Sequence, residues 1–328
     1  MWSVALIGAG RMGALHGANA ARDRRLRLKY VVDHRGESAA ALAGSLGARP
    51  ADLATILADP EVAGVVVASS TDMHLEHCLA ATAAGKAVFC EKPIDLDLDK
   101  ARAAAPRLGD APLLLGFNRR FDPDVAALKR ALDAGAVGAL ETLHIVNHDP
   151  AAPPPGFIPT SGGLFRDFTI HDLDLARWLL GEEPVELYAT ASCLVDPEIG
   201  RLGDVDTART LLRTASGRLC VISNTRRSGY GYDQRVEAYG AAGRVAIDNR
   251  RADTVETATE EGALRSSILP DFPSRYADSY AAEMDHFADM LAGGARPRAG
   301  FADGVAALAL ADACDRSHRT GRPVRLQS

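Results

Sequence analysis

A chain of 328 residues is too long for one ordinary core and predicts two domains. Its 43 acidic side chains against 37 basic ones give a net charge of −6. That leaves no positive footprint for a phosphate backbone or an anionic bilayer and argues against nucleic acid and membrane as partners. The five cysteines, Cys78, Cys90, Cys193, Cys220 and Cys314, stand apart with no CxxC pair. Neither a metal site nor a disulfide framework is expected, and a reducing cytoplasm fits. The amino terminus runs straight into a glycine-rich turn without the basic region and small-residue cleavage site of a signal peptide. No apolar run approaches the roughly 20 residues of a spanning helix.

In chain order, short apolar runs at Val4 to Ile7, Leu28 to Val32, Gly64 to Ala68, Ala87 to Cys90 and Leu113 to Gly116 read as strands, separated by helical stretches such as Ala39 to Leu46 and Leu75 to Ala84. Near-continuous apolar strands between helices predict a parallel sheet covered on both faces, a doubly wound α/β (Rossmann) domain over residues 1–120. One helical stretch follows Arg119-Arg120, and then Pro150, Pro153, Pro154 and Pro155 form a stiff loop. A helix from about Leu164 to Leu180 precedes β-rich sequence with turns at Ser216-Gly217 and Ala242-Gly243. Two late helical stretches, Tyr276 to Leu291 and Ala302 to His318, close the chain. Residues 121–328 are therefore expected to form an α+β domain on an open, largely antiparallel sheet, its final helix free to pack on the first domain.

Gly8-Ala9-Gly10-Arg11-Met12-Gly13 matches GxGxxG, a weak pattern alone. Here it follows a strand, opens a helix, and is succeeded at the end of the next strand by Asp33, about 20 residues on. Gly8 would make the tight turn, Gly10 would let backbone approach a pyrophosphate at the helix N-terminus, and Gly13 would let helix pack on strand. Asp33 would accept from both ribose hydroxyls and repel a 2′-phosphate, favouring NAD over NADP. Arg35 stands either as a phosphate partner that would favour NADP or as a solvated surface side chain.

Glu91-Lys92-Pro93 ends the fourth apolar strand, on the side of an α/β sheet where ligands bind, although the same tripeptide also suits a plain charged strand end. The Lys92 ammonium could hold an alcohol or polarise a carbonyl there. On an α-helix, Asp167, His171, Asp174 and Trp178 would fall on one face beside an apolar stripe of Leu164, Phe168, Leu175 and Leu179. That pattern suits a cleft-facing helix and an ordinary surface helix alike. Hydride-transfer oxidation needs a group of near-neutral pKa to take the hydroxyl proton, and His171 with a carboxylate one turn earlier is suited to it.

Together these residues resemble the glucose-fructose oxidoreductase, inositol dehydrogenase and rhizopine-catabolism family of two-domain dehydrogenases, over nearly the whole chain. The general marks are the Gly8 to Gly13 turn, Ala68-Ser69-Ser70-Thr71-Asp72-Met73-His74, Glu91-Lys92-Pro93, and Gly116-Phe117-Asn118-Arg119-Arg120-Phe121-Asp122-Pro123. Asp149-Pro150, Ser161 to Asp167, Ile170-His171-Asp172, Asp204 to Ala208 and Tyr230 to Arg235 are similar to its inositol 2-dehydrogenase branch.

The resemblance implies a catalytic set of Lys92, Asp167 and His171, cofactor contacts from Ser69, Thr71, His74 and Glu91, and a substrate pocket lined by Arg119, Asp149, Asp174 and Tyr232. It implies NAD as cofactor and oxidation of a ring secondary alcohol of a cyclic polyol, foremost myo-inositol to the 2-ketone. Other cyclitols, aminocyclitols and pyranose sugars are alternatives, and a non-catalytic NAD sensor is the reading from another class. The open sheet face implies a homodimer or homotetramer. Asn147-His148 departs from the serine-arginine or histidine-arginine pair of that branch and bears on which polyol is taken.

Overall fold

Valine- and leucine-rich runs form six strands, β1 (Trp2–Ile7), β2 (Leu26–Val32), β3 (Arg49–Pro50), β4 (Val62–Val67), β5 (Ala87–Cys90) and β6 (Leu113–Leu115). In the computed structural model, which describes residues 1–326, they pair in parallel in the order β3-β2-β1-β4-β5-β6. The order reverses between β1 and β4, and the crevice at the carboxyl ends of those strands is where such sheets bind ligands. β3 was not expected: two residues beside Tyr30 and Val31 are too few to carry a hydrophobic period.

The chain divides into two compact units. The first takes Met1–Phe121 and, from late in the sequence, Asp278–Ala309; the second takes Asp122–Ala277 and residues 310–326. The first unit's core joins Val4, Leu6, Leu28, Val31, Val66 and Phe89 of the sheet to Met284 and Phe287 of the helix Ala277–Leu291.

The second unit holds a seven-stranded sheet of β7 (Leu140–His148), β8 (Pro184–Ser192), β9 (Thr207–Thr214), β10 (Leu219–Thr225), β11 (Asp233–Gly240), β12 (Gly243–Ile247) and β15 (Val324–Arg325). Its order is β12-β11-β7-β10-β9-β8-β15, antiparallel except for the β7–β10 pair. β13 (Glu256–Thr259) and β14 (Gly262–Arg265) form a separate hairpin. Burial alternates along the strands as one-sided packing requires. Leu143, Ile145, Leu212, Cys220, Ile222, Val236 and Ala238 pack with Leu173, Ala176 and Leu180 of the helix Ile170–Leu180, whereas Tyr188, Leu211, Leu219 and Val221 are exposed on the opposite face. Among the described residues no helix is long and apolar enough to cross a membrane and no cluster of metal-ligating side chains occurs. The five cysteines form no disulfide.

Candidate functional site

In the first unit the turn after β1 is made by main-chain geometry. Gly8 has φ of +102°, and a Cβ there would lie 2.2 Å from the Ala68 carbonyl oxygen, so no other residue fits without displacing β4's end. A Cβ on Gly13 would lie 1.9 Å from the Gly8 oxygen. At Gly10, N-cap of the helix Arg11–Arg22, no atom of the described residues beyond its own chain neighbours lies within 4 Å of where a Cβ would be, which leaves room over the helix N-terminus for a phosphate group.

Asp33, at the end of β2, accepts from the Ala9 N–H through Oδ2 and the Arg35 N–H through Oδ1, both at 2.8 Å. Burial would raise its pKa, but these two donors outweigh that and hold the carboxyl below its ordinary range. Each oxygen keeps a lone pair for a ribose hydroxyl. The Arg35 side chain is 65% exposed, 3.8 Å from Asp33, as a surface arginine would be. These features fit the adenosine and pyrophosphate of NAD.

The loops after β4 and β5 are tied together by His74. This buried imidazole has Nδ1 2.8 Å from the Pro93 carbonyl oxygen and Nε2 3.1 Å from that of Ser69. Burial above all lowers its pKa, so the ring is neutral near pH 7 and its single N–H serves one of the two carbonyls. Ser69 Oγ lies 3.0 Å from His77 Nδ1, and Thr71 opens a short 3₁₀ turn beside it.

Glu91 is also buried. Its Oε1 lies 2.6 Å from His16 Nε2, and its Oε2 accepts the Lys92 N–H at 3.2 Å. Burial raises its pKa, yet the bond from His16 and the nearby Lys92 charge more than compensate, keeping Glu91 below the ordinary value. Lys92 itself is half-buried, and its bond to Pro93 is cis. Arg119 is buried in the 3₁₀ segment Asn118–Phe121. Arg120 beside it anchors that segment to Asp303 at 2.9 Å and to the Arg298 carbonyl at 2.8 Å.

In the second unit the sequence leads one to expect a regular α-helix from Leu164 with separate polar and apolar faces. The structure differs on both points. Gly162 and Gly163 both have positive φ, Phe165–Thr169 form a π-helical turn, and the α-helix proper is Ile170–Leu180. The entry is fixed by distant groups: the Leu164 N–H donates to Asp204 Oδ1 at 3.1 Å and Thr169 Oγ1 donates to Asn224 Oδ1 at 2.9 Å. Residue periodicity does not register such contacts. Single π turns of this kind recur at functional sites.

Asp167 lies in the π turn, 3.3 Å from both terminal nitrogens of Arg226. His171, half-buried, follows in the first turn of the α-helix. Asp172 and Asp174 are both buried, so the helix is not simply two-faced. Asp172 Oδ2 accepts from Asn147 Nδ2 at 2.9 Å and from Asn224 Nδ2 at 2.7 Å. Asn147 Oδ1 accepts in turn from Gln234, whose Oε1 accepts from Tyr276 at 3.0 Å. A buried chain of amides thus pins the His171 helix to β7, β10 and β11. Asp174 lies 3.8 Å from Arg177, and Trp178 lies under the Lys129 ammonium, 5.9 Å from the ring centroid.

Tyr232 is buried with its ring edge-on to Tyr276, centroids 6.0 Å apart, at one end of this chain. Asp149 follows β7 and donates its N–H to Thr225 O at 2.9 Å. The Asn147-His148 departure divides between the two faces of the sheet. Asn147 joins the helix-side network, whereas His148 pairs with Ser223 at 2.9 Å on the open side. Sequence reading missed His16, Arg226, Asn224, Gln234 and Tyr276. Polar residues at inward positions of otherwise apolar strands, such as Asn224 two residues after Ile222, are the pattern that marks the strand-borne members.

A six-stranded parallel sheet with a glycine-rich turn and an acidic second-strand end, in one chain with an open-sheet unit, defines an NAD-binding oxidoreductase of two units. The chain belongs to the GFO/IDH/MocA family. Residues 2–113 match the oxidoreductase family with NAD-binding Rossmann fold, and residues 125–246 match the GFO/IDH/MocA C-terminal domain. Inositol 2-dehydrogenase of Rhizobium meliloti is 44% identical over 98% of this chain and 98% of its own. The crystal structure of a myo-inositol dehydrogenase from Corynebacterium glutamicum matches with a TM-score of 0.95 at 40% identity, covering 100% of this chain and 99% of that one. Scyllo-inositol dehydrogenase from Lactobacillus casei, with bound NAD(H) and scyllo-inositol, matches with a TM-score of 0.91 at 25% identity over 99% of both chains.

Proposed function

We propose that this enzyme oxidises a ring secondary alcohol of a cyclic polyol, foremost myo-inositol to the 2-ketone, using NAD⁺. The observation that carries this is the 44% identity to an inositol 2-dehydrogenase over nearly the full length of both chains. When bound, NAD⁺ supplies the hydride acceptor. Gly8, Gly10, Arg11, Met12 and Gly13 hold its pyrophosphate, Asp33 its adenosine ribose, and Ser69 and Thr71 the loop beside it. His74, set between the Pro93 and Ser69 carbonyls, and Glu91, which accepts the Lys92 N–H, contact the cofactor beside that loop. Lys92 holds the reacting oxygen by its ammonium. His171 takes the hydroxyl proton as a neutral imidazole, and Asp167 orients that ring and stabilises the imidazolium that forms. Arg119, Asp149, Asp174 and Tyr232 recognise the remaining hydroxyls.

The protein acts in the cytoplasm as a homodimer or homotetramer built on the open sheet face, where Tyr188, Leu211, Leu219 and Val221 are exposed. NAD⁺ reduction across myo-, scyllo- and D-chiro-inositol and common pyranoses tests the reading. Turnover is expected with myo-inositol, and preference for scyllo-inositol would move the assignment to that isomer. The rate should fall at low pH as His171 is protonated, and that acid limb should vanish in His171→Ala. An unchanged profile in this variant would assign the base elsewhere.

A further inference from the structure

We propose that Arg226 is a positioning residue for the dehydrogenase reaction, gripping the Asp167 carboxylate from its buried side and fixing its orientation toward the substrate and His171. This rests on the reading that Asp167 and His171 act on the substrate hydroxyl. Arg226 follows β10 immediately, is 1% exposed, and is among the largest fully buried side chains of the molecule. Its N–H donates to the Asp206 carbonyl at 2.9 Å, so the backbone beneath it is fixed.

Nη1 and Nη2 both point at one oxygen, Asp167 Oδ2, at 3.3 Å, and the guanidinium carbon lies 5.6 Å from the centroid of the Phe168 ring. Nε is buried and has no hydrogen-bond partner among the described residues. The Asp167 side chain, by contrast, is 19% exposed, so the ion pair joins a fully buried guanidinium to a carboxylate that is only partly withdrawn from solvent.

Stability alone does not account for this arrangement. A guanidinium withdrawn from water is costly to desolvate, and well-packed apolar residues often do as well or better in its place. Here the cation is incompletely bonded as well as buried, which weakens the stability case further. What an apolar residue could not do is hold a carboxylate oxygen at a set point in the π turn that precedes His171. The rigid fork of arginine, braced against Phe168, does that.

The test uses the full-length enzyme with NAD⁺ and myo-inositol in four variants: Arg226→Met, Arg226→Lys, Asp167→Asn, and Arg226→Met combined with Asp167→Asn. Arg226→Met should lower kcat by about tenfold or more while NAD⁺ affinity, read by fluorescence, stays within about twofold. Arg226→Lys should recover part of that loss. In the Asp167→Asn background, Arg226→Met should cost less than about twofold in the residual rate, because its target is already gone. Should Arg226→Met not fold, the lysine variant and the double variant, which buries no unpaired charge, carry the same comparison. Losses that multiply in the double variant, or Arg226→Met or Arg226→Lys with wild-type kcat, would overturn the assignment. Asp167→Asn with wild-type kcat would overturn the catalytic reading itself, a separate outcome.

Discussion

The two units hold their functional residues in different ways. In the first, the dinucleotide turn is shaped by main chain: a left-handed glycine, a carboxylate accepting backbone N–H groups, and an imidazole set between two carbonyl oxygens. In the second, the helix carrying His171 is held by side chains that come from strands, with Asn147, Asn224 and Arg226 on Asp172 and Asp167. A main-chain device tolerates change at most side chains and fails at a few glycines. A side-chain network spreads its sensitivity over every member, because each one removed strands the polar atoms of its neighbours.

The largest effect expected from this contrast is chemical. Lys92→Ala should cost about a hundredfold or more in kcat while NAD⁺ affinity remains measurable, since the turn and Asp33 are untouched. Turnover near wild type would return Lys92 to the role of a charged strand end. Gly8→Ala comes next: the strained φ and the contact with Ala68 should weaken NAD⁺ binding by about tenfold or more, a loss visible in titration. Unchanged affinity would show that the main-chain reading of the first unit is wrong.

Asn224→Ala probes the other unit. It removes a donor from Asp172 and the acceptor of Thr169, and should cost about 2 kcal/mol of stability, a fall of a few degrees in Tm, with a lower kcat at unchanged NAD⁺ affinity. A variant as stable and active as the parent would mean the network is dispensable.

The smallest effect concerns a side-chain site inside the first unit. Glu283 is fully buried, neither of its carboxyl oxygens has a hydrogen-bond partner among the described residues, and burial together with the Glu91 charge raises its pKa well above 4.5. A raised folded-state value means that the contribution is fully present below the unfolded value and is lost as pH rises through the folded one. Glu283→Gln removes that slope, so the Tm of the variant minus that of the parent should grow between pH 5 and pH 8. Parallel Tm profiles over this range would show that Glu283 titrates as an ordinary carboxylate.

Much of the first unit was legible because its determinants are local. Strand, GxGxxG turn, helix and acidic strand end all fall within Trp2 to Asp33, and the strands from β4 to β6 are apolar runs long enough to read. β3 escaped because two residues carry no period. The open sheet was legible through its alternation and its turns at Gly217 and Gly243. The π turn was not, because what fixes it lies elsewhere in the chain.

The sequence by itself determined the sheet class of each unit and the cofactor turn, and it set Asp167 four residues before His171, since each depends on residues close enough in the chain to constrain one another. Only the tertiary structure decided what holds those groups. Arg226 meets Asp167 across 59 residues, Asn224 meets Asp172 across 52, and Glu91 meets His16 across 75. Burial makes such partners obligatory, because a polar group withdrawn from water must find one, but it leaves their identity to whichever strand or helix the fold brings alongside.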